Sequence, residues 1–409
     1  MVGKTIKPIE CRGRWHFLDD DGEEVERKNY ATKRIDQFWK EFRASELCDP
    51  KADVVVYREK ARPWLLEHLP LAEPRLEWEV FFNSDGKSQL SICLGGLLSQ
   101  WRLLETFVER AGEFDGWEIL AGRTPIELGM CDISAVFRER LRMTLPPFRF
   151  EVRVEKDSSI SVTLFSPVFS KTDSTEDITV PFFLSEMLLG EYEGIHWVVR
   201  HEAVYEQIDE SNFDHNRVCK ELKKVLDEQI QLVKSKIEDP PRALWSEEHP
   251  TVMMEFTPQD PSLVAPGRRF RMTAITCNTE LVCGFPPPTM FFSDRFAKNG
   301  GKFAYLQVIN VATELTQEFR EAFEDEMIAA LLKSNSGYMV ATGRGEPDSY
   351  YYDFCLTNVD KAVVALQGVV QRYDLPKTCW LRFYDRHWNE EWVRMYPETP
   401  DLEKPDEVW

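Results

Sequence analysis

A chain of 409 residues is too long for one ordinary hydrophobic core and has the length of two or three domains. Its 43% hydrophobic and 29% charged residues are the balance of a folded protein, which excludes a disordered chain. With 70 acidic against 50 basic residues the formal net charge is −20, a field that repels phosphate backbones and anionic lipid, so we expect neither nucleic acid nor membrane as a direct partner and favour a basic protein surface.

In chain order, the first ten residues carry no apolar stretch that would mark a leader, and no run of 18 apolar residues follows anywhere. Arg14 to Phe17 reads as a short strand running into the acidic turn Asp19-Asp20-Asp21-Gly22-Glu23. With Gly22 in the sixth place of a calcium loop, the first ligand would be Phe17 and the twelfth Lys28, so the turn is read as solvated only. Ile35, Phe38, Trp39 and Phe42 recur at helical spacing between Ala31 and Leu47, and a second helical pattern from Val54 to Leu69 contains Pro63. These helices make residues 1–74 a helical N-terminal extension.

A first α+β module is expected over 75–239. Its elements are a hairpin of Arg75 to Phe82 with Gln89 to Leu94, a helix from Leu97 to Ala111, and a strand from Trp117 to Ala121. A helix from Ile133 to Leu141 follows, then strands Phe148 to Val154 and Ile160 to Phe165, a helix from Phe182 to Leu189 ended by Gly190, a strand from Ile195 to Tyr205, and a charged helix from Asn216 to Lys236. Prolines then crowd between Pro240 and Pro288, and we read 240–301 as a connecting segment with edge strands at Val252 to Phe256 and Phe270 to Ile275, since proline cannot donate to a central ladder.

The stretch from Phe303 to Asp385 reads as strand, helix, strand, strand, helix, strand. The elements are Phe303 to Ile309, Glu314 to Lys333, Gly337 to Thr342, Tyr350 to Leu356, Val359 to Tyr373 and Cys379 to Tyr384. Right-handed crossovers in that order give an antiparallel sheet covered on one face by two helices, a ferredoxin-like module over 302–397 with an acidic tail at 398–409. The first module repeats much of the order, so the fold class is expected to be α+β with two ferredoxin-like βαββαβ-type modules, an internal duplication without a residue-level repeat.

Chemistry-bearing patterns are few. Gly343-Arg344-Gly345 lies between two strands, whereas a phosphate-binding loop opens a helix. His196, His201 and Glu202 form the densest local group of acid-base residues, yet histidines five apart on a strand point to opposite faces and do not share a metal. No GxSxG, HExxH, Walker-type or dinucleotide motif occurs. Nine scattered cysteines without a CxxC pair suit reduced thiols in the cytoplasm. No cofactor and no metal are expected.

Two surfaces stand out as partner-binding candidates. Glu314, Glu318, Glu321 and Asp325 fall three or four residues apart and form an acidic stripe opposite the apolar face marked by Leu315, Phe319, Phe323, Met327 and Leu331. Trp388, Trp392 and Tyr396, if helical, line one side of the chain's end, either closing the core or standing exposed as an aromatic anchor.

The helix Glu314 to Lys333, the strands through Gly343-Arg344-Gly345 and Ser349-Tyr350-Tyr351-Tyr352, and the terminal strand followed by Trp392 and Tyr396 before Pro397 together resemble a bacterial family of uncharacterised domains. That family is related to the regulator of ribonuclease activity B, an inhibitor of ribonuclease E, and the resemblance is confined to the C-terminal part. It implies a ferredoxin-like sandwich and a bias toward binding protein without chemistry of its own. The expectation is therefore a non-enzymatic cytosolic binding or regulatory protein, of inhibitor or immunity type, acting on a basic partner; a homo-oligomer is compatible with it. The alternative is a hydrolase with an unrecognised carboxylate and histidine site between the modules, around His201 and Glu202.

Overall fold

The computed structural model describes residues 14–18, 22–48, 54–82, 88–94, 98–114, 116–129, 132–170, 175–208, 213–240, 251–256, 271–277, 281, 291–309, 315–345 and 349–402. The chain is α+β and divides into two compact units: Met1–Glu155 with Ser159–Leu232, and Val233–Trp409 with the turn Lys156–Ser158. No helix among the described residues is long and apolar enough to cross a membrane.

In the N-terminal unit, α1 (Glu23–Ala44) starts earlier than its apolar spacing suggests, because Glu23, Glu24 and Glu26 favour the positive end of a helix. The expected acidic turn thus begins a helix at Glu23, while 19–21 lie outside the described residues. Helix α2 (Val54–Ala72) runs through both Pro63 and Pro70. These two helices are no separate extension. Ile35, Phe38, Trp39 and Phe42 of α1 and Ala61, Leu65 and Leu69 of α2 share one core with Val80, Leu90, Ile92, Leu104, Phe107 and Trp117. Trp39 Nε1 donates to the Phe107 carbonyl at 2.7 Å and Trp117 Nε1 to the Leu47 carbonyl at 2.9 Å, so the large rings are buried with their polar edge satisfied.

That core covers one face of a three-stranded sheet. Strand β1 (Glu77–Phe82) pairs antiparallel with β2 (Ser88–Cys93), and after α3 (Trp101–Glu109) the chain returns as β3 (Trp117–Ala121), parallel to β2. Following α4 (Ile133–Leu141), the same plan recurs: β4 (Arg149–Val154) is antiparallel to β5 (Ile160–Ser166), and α5 (Thr175–Leu189) with α6 (Glu191–Trp197) cross over to β6 (Val198–Tyr205), parallel to β5. Helix α7 (His215–Lys236) follows.

The expected βαββαβ repeat in this half is corrected here. Its strands form two separate three-stranded sheets, each a hairpin plus one helical crossover, because each strand finds its partner among its nearest neighbours in the chain. The expected strand from Ile195 is corrected too: residues 191–197 are helical, and strand geometry starts at Val198. Gly190, at φ +85°, ends α5 and lets α6 restart at once; a Cβ there would lie 2.8 Å from the Arg123 carbonyl oxygen.

The C-terminal unit is one seven-stranded sheet. Its strands are β7 (Val252–Glu255), β8 (Arg271–Thr276), β9 (Lys302–Val308), β10 (Gly337–Gly345), β11 (Ser349–Leu356), β12 (Cys379–Phe383) and β13 (Trp392–Arg394), with α8 (Gln317–Ser334) and α9 (Val359–Arg372) between them. The spatial order is β13-β12-β9-β11-β10-β8-β7, with every pair antiparallel. Its centre is β12-β9-β11-β10, four antiparallel strands. Caps fix the helices: Thr316 Oγ1 accepts from the Phe319 amide at 3.2 Å, and Asn358 Oδ1 accepts from the Lys361 amide at 3.1 Å.

Gly343, read from sequence as part of a turn, is instead within β10. A Cβ there would lie 2.1 Å from the Thr273 carbonyl oxygen, so glycine permits the close approach of β8. Of the two strands of the proline-rich segment expected at an edge, β7 is the outermost strand, whereas β8 is corrected to an interior one, paired with β10 on one side and β7 on the other.

Candidate functional site

Helix α8 positions the acidic stripe. Phe323, Met327 and Leu331 are buried against the sheet, while Glu318, Glu321 and Asp325 are exposed on the opposite side; Glu314 lies outside the described residues. Glu321 accepts a hydrogen bond from Gln317 at 2.8 Å, and no cation stands within ion-pair distance of these three carboxylates among the described residues. Leu332, 55% exposed, continues the stripe at helical spacing. Neighbouring acids on α8 are engaged otherwise: Glu326 pairs with Arg372 of α9, and Glu324 accepts from Thr342 at 2.9 Å.

The aromatic end does not form a helical row. Trp388 closes a single 3-10 turn and Trp392 opens β13, and Trp388, Trp392 and Tyr396 are all buried. Tyr396 Oη donates to the Val370 carbonyl at 2.8 Å, which ties the end to α9. Of the two roles weighed for these rings, core closure is the one realised, and the exposed-anchor role is corrected.

His196, His201 and Glu202 do not converge. His196 is buried on α6, stacked on Tyr192 with centroids 3.8 Å apart, and its Nδ1 is bonded to the Tyr192 carbonyl at 2.7 Å. In the β5–β6 register His201 stands beside Val162 and Glu202 beside Thr163, so the two side chains leave opposite faces of the sheet. His201 meets Phe182 of α5, and burial pushes its pKa down to about 4, which keeps it neutral at physiological pH. Glu202 accepts from Thr163 Oγ1 at 2.9 Å. Among the described residues no group of three His, Cys, Asp or Glu side chains is placed to hold a metal ion.

A cluster of charge among the described residues was not visible in the sequence. Arg123, just after β3, donates from Nη1 to Glu186 of α5 at 2.5 Å, from Nε to Glu79 of β1 at 3.3 Å, and from Nη2 to Glu77. Arg140 of α4 donates to the second Glu79 oxygen at 2.8 Å. Glu191, at the start of α6, accepts from the backbone amides of Leu94 and Arg123, each at 3.2 Å. The cluster forms the seam between the two sheets of the N-terminal unit, on the face of β1 and β2 turned away from the aromatic core.

A second polar network occupies the face of the C-terminal sheet opposite α8 and α9. The registers put Tyr305, Gln307, Tyr351, Asp353 and Arg382 on that face, all buried. Arg382 donates to Gln307 at 3.2 Å, Gln307 to Tyr351 Oη at 3.2 Å, and Tyr384 Oη to Asp353 at 2.5 Å. Nearby, buried Asp385 accepts from the Ser293 amide at 2.8 Å and from the Ser293 hydroxyl, which itself accepts from the Phe303 amide. Strand alternation marks each of these positions, but partners more than 30 residues away are not encoded in any local spacing.

No protein-family model matches this chain, and searches of curated proteins and of solved structures return no match.

Proposed function

We propose that the chain is a non-enzymatic, cytoplasmic binding or regulatory protein, of inhibitor or immunity type, whose outer face of α8 recognises a basic protein partner. The observation that carries this reading is the set Glu318, Glu321 and Asp325, three exposed carboxylates without a cation at ion-pair distance among the described residues, on a helix anchored by its opposite face. Like charges held on one rigid face repel each other, and a cationic surface relieves that cost. Leu332 at the end of the stripe suits a partner helix with basic residues followed by an apolar one. The resemblance of the C-terminal part to ribonuclease E inhibitor-like domains points the same way. Free thiols at Cys93, Cys219 and Cys379 support the cytoplasmic assignment.

The test is affinity capture with the full chain and with the triple variant E318Q/E321Q/D325N. Wild type is expected to retain one stoichiometric partner whose binding weakens with salt. Exposed charges contribute about 0.2–1 kcal/mol each, so neutralising three should weaken binding roughly tenfold. Equal retention by the variant would overturn the reading.

A further inference from the structure

Helices α8 and α9 lie side by side and antiparallel, and the valley between their outer faces is open to solvent. Both ends of the pair are pinned. At one end Arg372 pairs with Glu326, and Tyr373 Oη, just past α9, donates to the Ala322 carbonyl at 2.9 Å. At the other, the Thr357 and Asn358 amides ahead of α9 donate to the Ser336 carbonyl just past α8, at 2.9 and 3.1 Å. Leu332 and Val364 therefore stand about 6 and 9 Å along their helices from the same junction, nearly level with each other. They are 55% and 71% exposed, one apolar side chain on each helix. Beside them the surface is low: Ala329 of α8 is exposed, and a Cβ on Gly368 of α9 would meet nothing closer than Arg372 Nη1 at 3.7 Å. Small residues flanked by exposed apolar ones let a third helix approach closely and bury an apolar anchor.

We propose that this valley seats an amphipathic helix of the partner, with apolar side chains between Leu332 and Val364 and with basic residues confined to the half that lies along Glu318, Glu321 and Asp325. The proposal rests on the reading of α8 as the recognition face, and adds α9 and a polarity to it. The polarity comes from charge. The acids occupy the first half of α8, whereas the exposed charges at the Leu332 end include Lys333 and Lys361 against Asp360, so a helix that is basic throughout is repelled there. From Glu318 to Leu332 the surface runs about 21 Å, the length of a partner helix of about four turns. A second copy of the chain is the poorer occupant, since each copy carries a formal charge of −20 and brings the same three carboxylates to the contact.

The probe is a synthetic helical peptide of about 16 residues, with lysines on its first two turns and leucines on one face of its last two, titrated into the full chain by fluorescence anisotropy. A peptide of the same composition with lysine and leucine scrambled is the control. Wild type is expected to prefer the segregated peptide by about tenfold or more, since only that peptide meets the acids and the apolar pair together. V364Q, an exposed change on α9 that should leave the urea midpoint unaltered, is expected to weaken binding roughly fivefold to tenfold by removing one anchor. K333E/K361E should abolish the penalty on a peptide with lysine along its whole length. If E318Q/E321Q/D325N weakens binding but V364Q and K333E/K361E change nothing, the valley proposal falls and the acidic recognition face stands. If the triple variant binds as wild type does, the recognition face itself falls, and this proposal with it. Equal affinity of wild type for both peptides, or a wild-type dimer in sedimentation that V364Q dissociates, would also overturn the partner helix.

Discussion

His201 shows how one residue can look functional in sequence and be structural in the fold. Its neighbour Glu202 suggested an acid-base pair, but adjacent residues on a strand diverge, and only the position of α5 decides that the imidazole faces Phe182. A histidine held down to about 4, against an ordinary value of 6.5, binds fewer protons folded than unfolded. Its contribution is therefore complete above pH 6.5 and is lost as pH falls toward 4, by about 3 kcal/mol over the whole window. In H201F the urea midpoint should depend less steeply on pH between those limits; an unchanged profile would contradict the assignment. Tyr352 is a companion case. Its ring packs edge-on against Phe323, while its hydroxyl is buried with no hydrogen-bond partner among the described residues. Removing an unsatisfied buried hydroxyl relieves a desolvation cost, so Y352F is expected to be neutral or stabilising by about 1 kcal/mol in denaturant unfolding.

Elements of the C-terminal unit were legible because local signals agreed with one another. Thr316 and Asn358 cap α8 and α9, apolar spacing marks the buried face of α8, and the strands between them are dense in β-branched and aromatic residues. The junction of α5 and α6 lacked such agreement. Ile195 to Tyr205 has the composition of a strand, yet Gly190 at a positive φ starts a new helix that runs through Trp197, and the His196 ring Nδ1 is bonded to the Tyr192 carbonyl within it. The geometry at Gly190 is specific enough to test. Alanine there would adopt a positive φ and bring its Cβ to 2.8 Å from the Arg123 carbonyl oxygen, which is backbone and cannot swing away. G190A should lower stability by about 2 kcal/mol or more, read as a shifted urea midpoint. Because Glu191 is the next residue, amides near the seam should lose exchange protection first.

At the scale of the whole molecule, what the sequence could not show is pairing between distant segments. Strand β8 joins β10 across more than 60 residues, and the Ala274, Leu281, Phe291 and Phe296 side chains pack with Phe303, Tyr338, Val340 and Cys355 in one core. Periodicity and proline content made 240–301 a connector with edge strands, but only β7 is at the sheet's edge, and the same segment also supplies half of that core. The Ser293–Asp385 bonds reinforce the attachment, since Asp385 is fully buried and its carboxylate has the Ser293 amide and hydroxyl as donors. A cut at residue 302 would therefore strip the apolar end of the sheet face and take both Ser293 donors from buried Asp385, leaving it Lys302 at 3.9 Å. A fragment of residues 302–402 is expected to associate and to lose a cooperative thermal transition, whereas residues 233–409, the compact unit without its turn Lys156–Ser158, should unfold in one step. Cooperative two-state unfolding of the shorter fragment would show that the connector's core contacts are dispensable.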